Sequence, residues 1–377
     1  MSAEKIKIGI VGTGSFAQCF IPLFKAHPLV GEVTLCDLDA GKLDENCARY
    51  GISKKSPSLD HLLGTDIDAA VIITQNWMHG PQALQAVRAG KDVYSAVPIG
   101  VSVEEIRELV AAVEETGRIY MMGETSYYYP GVVLCREKYK NGEFGHIVYG
   151  EGEYYHDWDH GLYDVAKWRG GEKWLDTAGC PPMYYPTHST SQIISVTGAH
   201  MTHVACHGFA DTKDDGIYKA EANIWGNIFS NQTALFKMSD GSCCRVNELR
   251  RVGHTGTVRM TLFGTEGSFE QNSAGAVWLT KQKRESVDDL IDCAGKPYAK
   301  IHPADRLPEA FKTLDNGHEG SHQFLVDDFV KACLYQKTPP VSVWEAARYT
   351  VPGIIAHESA KRGGELLEIP DFGGPKF

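Results

Sequence analysis

Short apolar runs rich in β-branched residues alternate with amphipathic stretches through the first 125 residues of the chain. IKIGIVG (6–12), EVTLCDL (32–38), DAAVIIT (68–74), KDVYSAV (91–97) and RIYMMGE (118–124) read as buried strands. Helical periodicity lies between them, most clearly in VSVEEIRELVAAVEETG (101–117), where Val103, Ile106, Leu109, Val110 and Val113 share one face. This alternation predicts an α/β fold that opens with a parallel, doubly wound sheet. Late in the chain, EGSHQFLVDDFVKACLYQ (319–336) and SVWEAARYTVPGIIAHESAKRG (342–363) are again helical. No tandem repeat or low-complexity tract interrupts the pattern.

Directly after the first strand, GTGSFA (12–17) supplies G-x-G-x-x-A at a predicted helix start. In a dinucleotide site Gly12 makes the tight turn, Gly14 lets a pyrophosphate approach the backbone, and Ala17 permits close helix–strand packing. Thr13, Ser15 and Phe16 complete the candidate loop. Asp37 ends the second strand, where a carboxylate binds a ribose 2'-hydroxyl and repels a 2'-phosphate, so NAD rather than NADP is expected. Thr74, Asn76 and His79, after the strand at 68–74, fall at the carboxyl edge of the sheet and are candidate cofactor contacts. Asn76 as a helix cap and His79 as a packed first-turn residue is the competing reading.

Size and charge narrow the partner class. The 377 residues exceed the roughly 100 to 200 of one domain. We place a nucleotide domain at 1–125 and a second domain at 126–377. A net charge of −11 gives no electrostatic footprint for nucleic acid or an anionic membrane, and a small molecule is the expected partner. The N-terminus enters a strand without a signal-peptide pattern and no run of 18 apolar residues follows, so a cytoplasmic location is expected. The ten cysteines include no C-x-x-C pair and read as reduced thiols.

IGIVGTGSFA (8–17), TQNWMHGPQALQAVRAGKDVYSAVP (74–98), NGEFGHIVYGE (141–151), PTHSTSQIISVTG (186–198), GTEGSF (264–269) and SHQFLVDDFVKAC (321–333) occur in this order across nearly the whole chain. The set resembles the glucose-fructose oxidoreductase and inositol dehydrogenase (Gfo/Idh/MocA) family. The resemblance implies a Rossmann domain followed by an α+β domain with a large, open, mostly antiparallel sheet that commonly builds homodimers or homotetramers. It also implies helices near 320–362 returning to the nucleotide domain and a carbohydrate substrate between the domains. The family's strand tip is E-K-P, with the lysine near the reacting hydroxyl. Here Ala96, Val97 and Pro98 stand in those places, so Val97 and Pro98 are expected to line the cofactor without handling a proton.

A second family motif, D-x-x-x-H before a helix ending in glycine, aligns on Gly198 to place its histidine at His188 and its aspartate at Tyr184. Pro186 suits the first position of a helix and would put His188 in the first turn, where the macrodipole favours a neutral imidazole base. His188 is the candidate proton acceptor and Tyr184 a candidate donor or relay. EYYHDWDHGLYDVAKWRGGEKW (153–174) carries six aromatics among charged residues, a composition suited to stacking on sugars as well as to ordinary packing. Tyr128, His156, Trp168, Arg169 and His322 are the candidate substrate contacts, Trp168 and Arg169 through their likeness to the family's W-R pair. HDWDH (156–160) has the residue types of a metal site. Strand alternation would put His156, Trp158 and His160 on one face and the aspartates on the other, and no metal is expected.

The expected activity is NAD-dependent oxidation of a carbinol in a sugar or sugar derivative. Two alternatives share the chain's features. One is a redox-neutral NAD-dependent glycosidase or lyase working through a transient 3-keto sugar. The other is a catalytically silent NAD- and sugar-binding protein.

Overall fold

The computed structural model describes residues 5–375, the side chain of Arg169 excepted. It divides into two compact units, one built from Met1–Pro130, Asp292–Ala347 and Phe372–Phe377, the other from Gly131–Ile291 and Arg348–Asp371.

The first unit opens with strands β1 (Ile6–Val11), β2 (Val30–Cys36), β3 (Lys54–Ser56), β4 (Ala69–Ile72), β5 (Asp92–Ser95) and β6 (Tyr120–Met122). Helices α1 (Ile21–Ala26), α2 (Ala40–Tyr50), α3 (Leu59–Leu63), α4 (His79–Arg88) and α5 (Val103–Thr116) alternate with them. All pairings are parallel and the strand order is β3-β2-β1-β4-β5-β6, the doubly wound arrangement of a dinucleotide-binding sheet. Ile8, Ile10, Leu35, Val71 and Val93 are fully buried, as strands covered on both faces require. On α5, Ile106, Leu109, Val110 and Val113 are buried. Its first turn is fixed by Ser102, whose side chain accepts from Glu105 N.

The second unit contains α6 (Pro130–Lys140), α7 (Leu162–Gly170), α8 (Trp174–Ala178), α9 (Thr187–Thr197) and α10 (Asp288–Ile291). Its sheet is formed by β7 (Ile147–Tyr155), β8 (Met201–Ala210), β9 (Phe229–Met238), β10 (Cys243–Leu249), β11 (Thr257–Gly264), β12 (Gly267–Asn272), β13 (Gly275–Thr280), β14 (Arg284–Ser286) and β15 (Leu367–Glu368). The order is β14-β13-β12-β11-β7-β10-β9-β8-β15, and the pairing is antiparallel except between β7 and β10. α9 packs over β7, β10 and β11. The close approach depends on Gly152 in the middle of β7, where a Cβ would stand 2.3 Å from the carbonyl oxygen of Ser189.

After this sheet the chain contributes a single turn, α11 (Gly317–Gly320), and α12 (His322–Tyr335) to the first unit, where α12 packs on β1 and α1. α13 (Val343–Lys361) follows. Among the described residues no helix is long and apolar enough to cross a membrane, and all ten cysteines are free.

Candidate active site

In the first unit the glycine turn has the geometry that its motif predicts. Gly12 has φ +87°, and a Cβ there would meet the carbonyl oxygen of Ile73 at 2.3 Å. Only glycine combines that backbone conformation with that proximity. Asp37 faces the turn, with Oδ2 accepting from Thr13 N at 2.9 Å and from Thr13 Oγ1 at 2.8 Å. A carboxylate anchored beside the glycine loop at the end of β2 is the acceptor that the hydroxyls of an adenosine ribose need, and the residues fit NAD. Ala17 is buried, as close packing requires. The helix after the loop begins as a short 3-10 segment, Ala17–Cys19, because Pro22 sits at the first positions of α1.

Other expected cofactor residues divide by burial. Val97 and Pro98 are buried and joined by a cis peptide bond. His79 is 2% exposed, with Nδ1 3.0 Å from the Pro98 carbonyl oxygen and Nε2 3.2 Å from that of Thr74. It braces the β4 loop against the β5 tip, and its packed first-turn reading describes its position. Thr74 Oγ1 donates to Gln82 Oε1 at 2.7 Å. Asn76 starts a 3-10 turn, Asn76–Met78, and α4 has no side-chain cap.

The second unit brings a polar cluster around His188. Pro186 is the N-cap of α9 rather than its first helical residue, which leaves His188 in the first turn. The rings of Tyr154 and Tyr185 meet its imidazole edge-on, with centroids 5.1 and 5.3 Å away. Tyr154 Oη lies 2.8 Å from His156 Nδ1, and the Arg250 guanidinium stands 4.7 Å over the Tyr154 ring. Behind them Glu248 is fully buried and accepts from Ser189 Oγ at 2.5 Å and from Arg250 Nη2 at 2.9 Å. Burial pushes the Glu248 carboxyl up to about 7, against the pull of the Arg250 guanidinium, the Ser189 hydroxyl and His188. A helix-borne imidazole with two phenols and a buried ion pair behind it is equipped to accept and relay a proton.

Tyr184 is turned away from this cluster. Its ring meets Trp225 and His357 at 6.0 and 5.2 Å, and burial pushes its phenol up to about 12. Successive residues of the 3-10 turn Pro182–Tyr184 diverge in direction, so the adjacent Tyr185 takes the place beside His188. Its i, i+3 spacing to His188 could have pointed to it. Tyr154 also follows from a simple signal, since with period two Gly150, Gly152 and Tyr154 share a face of β7, whereas Glu248 comes beside it only through the pairing of β7 with β10.

Several expected substrate contacts are held by neighbouring residues of the fold. Tyr128 is 7% exposed; its hydroxyl bonds to Asp328 and accepts from Arg306 Nη2 at 2.9 Å, and its ring stacks on Phe324. His322 is 1% exposed and packs 4.4 Å from the Phe20 ring. Much of the aromatic stretch forms a local core in which Trp158 and Tyr218 gather Tyr163 and Trp174. Trp168 is 51% exposed, and the Arg169 side chain lies outside the described residues. HDWDH is not a strand: β7 ends at Tyr155 and Trp158–His160 is a 3-10 turn, so the alternating faces do not exist. Asp157 is consumed by that turn, accepting from Asp159 N and Val252 N.

The parallel sheet, the glycine turn with its acidic partner and the second α/β unit together define an NAD-binding, two-part oxidoreductase architecture. Residues 6–124 match the model of the oxidoreductase family's NAD-binding Rossmann fold, and residues 136–367 match that of its C-terminal alpha/beta domain. The chain belongs to the Gfo/Idh/MocA oxidoreductase family and binds NAD through its first unit. A glycosyl hydrolase family 109 protein of Saccharopolyspora erythraea is 23% identical over 98% of this chain and 83% of that protein. An alpha-N-acetylgalactosaminidase of Tannerella forsythia is 23% identical over 97% and 86% respectively. The solved structure of levoglucosan dehydrogenase with NADH and levoglucosan has the same fold, with TM-score 0.79 at 18% identity over 98% of this chain and all (100%) of that one.

Proposed function

We propose that this protein is an NAD-dependent enzyme that oxidises a carbinol of a sugar or sugar derivative, with His188 accepting the hydroxyl proton. The observation that carries this reading is the polar cluster on α9 and β7, set against a strand tip of Ala96, Val97 and Pro98 that has no side chain able to take a proton. Bound NAD supplies the hydride acceptor. As the C–H bond gives up its hydride, the O–H proton must pass to a base, or the new carbonyl stays protonated. His188 in the first turn of α9 lies where the helix dipole works against an imidazolium, as suits a proton acceptor. Tyr154 and Tyr185 offer rings for the C–H face of a pyranose and hydroxyls for its oxygens.

The Tyr154–His156 hydrogen bond favours a second reading built on the same first step. Oxidation at C3 acidifies the C2 proton, and a second acceptor beside His188 would remove it. The C1 substituent then leaves, water adds, and the hydride returns to C3, so the net reaction is hydrolysis. The names of the glycosyl hydrolase family 109 relatives support this course.

One experiment separates the readings. The protein is incubated with NAD and a panel of free sugars and glycosides while reduced nicotinamide and released aglycone are followed. Stoichiometric reduced cofactor supports net oxidation, aglycone release with catalytic NAD supports the redox-neutral course, and neither product supports a binding protein. His188→Ala is expected to lower turnover by about 100-fold with NAD affinity unchanged. An unchanged rate removes His188 from the role of base.

A further inference from the structure

The turn preceding α12 has two consecutive non-glycine residues in left-handed conformation: His318 at φ 48°, ψ 63° and Glu319 at φ 52°, ψ 35°. L-residues avoid this region, and two in succession persist only where their surroundings impose it. His318 is solvent-exposed, whereas His322, one turn further on, is buried. The two imidazoles are coupled, with His322 Nε2 2.8 Å from His318 Nδ1 and ring centroids 4.8 Å apart. Phe16 meets both rings edge-on, at 5.5 Å from His318 and 5.8 Å from His322. Phe16 belongs to GTGSFA, the loop whose backbone receives the dinucleotide pyrophosphate. The strained turn therefore holds an exposed imidazole at the phosphate loop of its own unit.

We propose that His318 is a cofactor-binding residue whose Nε2–H donates to a pyrophosphate oxygen of NAD, and that His322 is the positioning residue that sets the required tautomer. Burial, with the neighbouring His318 adding to it, keeps His322 neutral by pushing its imidazole down to about 3. A neutral His322 that donates from Nε2 to His318 Nδ1 leaves the single proton of His318 on Nε2, the opposite edge of the ring. The left-handed turn is then the conformation that delivers this edge to the phosphates. The inference rests on NAD binding by the first unit and is independent of which sugar is used or of His188.

The test measures dissociation constants of the full-length protein for NAD and for ADP-ribose by titration calorimetry, with Tm recorded for each variant. His318→Gly removes the imidazole and relieves the left-handed strain. The expected result is a Tm equal to or above that of the parent with both ligands weakened by about 10- to 100-fold, the scale of a hydrogen bond to a charged group. His322→Phe keeps an aromatic ring against Phe20 but deletes the hydrogen bond to His318, and a smaller loss of both ligands is expected. Affinities within twofold of the parent in a folded His318→Gly variant overturn the proposal. Loss of NAD with ADP-ribose unaffected also overturns it, because the contact would then lie away from the pyrophosphate. If His322→Phe fails to fold, the His318→Gly measurements decide alone.

Discussion

At the scale of single residues, position is legible where a backbone motif fixes it, and illegible where a side chain's direction decides its neighbours. Asp37 is the clear case of the first kind, since its carboxylate holds both Thr13 N and Thr13 Oγ1 beside the glycine turn. Asp37→Ala removes the ribose acceptor and the charge that repels a 2'-phosphate. The NAD-over-NADP affinity ratio is expected to fall by about tenfold or more, measured by titration of both cofactors. A parent protein that already prefers NADP would contradict this account of Asp37. Tyr184, Tyr128, His79 and His322 are of the second kind. Each has a residue type suited to a ligand, and in the fold each also makes a packing contact or a hydrogen bond to a neighbouring residue. Residue type states what a group can donate or accept; only its neighbours determine whether anything remains to bind a ligand.

At the scale of elements, periodicity located the strands of the parallel sheet and the helix α5, because burial on a sheet or on one helical face imposes a repeat. β3 carries no such repeat, being three residues long, KKS, with no apolar signal. HDWDH leaves the strand at Tyr155 because pairing ends where backbone partners run out, which a local pattern does not reveal. The site itself depends on one contact between elements, that of α9 with β7 at Gly152. Gly152→Ala would drive a methyl into the Ser189 carbonyl, with backbone on both sides and no flexible side chain to yield. A stability loss of about 1–3 kcal/mol in denaturant titrations is expected. Because the displaced turn carries His188, turnover should fall while NAD affinity stays at the parent value. An Ala variant with unchanged stability and rate would show that α9 has room the structure denies it.

At the scale of the whole molecule, buried neutral histidines tie stability to pH. Burial pushes His322 down to about 3 and His357 down to about 4, Lys361 adding to the shift at His357 and Glu358 opposing it. In the unfolded chain both take up protons near 6.5, which the folded state refuses, so the unfolded state binds more protons below that pH. The contribution of these two imidazoles is therefore full above about 6.5 and is lost progressively as pH falls towards 3 to 4, while the buried Glu248 carboxyl, pushed up to about 7, works in the opposite direction below that pH. Thermal unfolding of the parent and of a variant lacking one imidazole, followed from pH 7.5 to 4.5, isolates the part of the Tm slope that the imidazole adds on acidification. His357→Gln should flatten part of that slope while leaving the neutral-pH cofactor affinity unchanged. A His357→Gln variant with the same pH slope as the parent would mean that the fold does not hold this imidazole neutral.

The sequence by itself determined the doubly wound nucleotide sheet, the glycine turn and its acidic partner, and the helix carrying His188. All of these follow from local periodicity, backbone sterics and short spacings that a linear chain expresses directly. Tertiary structure decided which tyrosine faces His188 and that Glu248 and Arg250 form a buried pair behind it. It also placed the strained His318 turn against Phe16, some 300 residues earlier in the chain. These are contacts between segments distant in sequence, and their energy comes from burial and hydrogen bonding that no short window of residues contains.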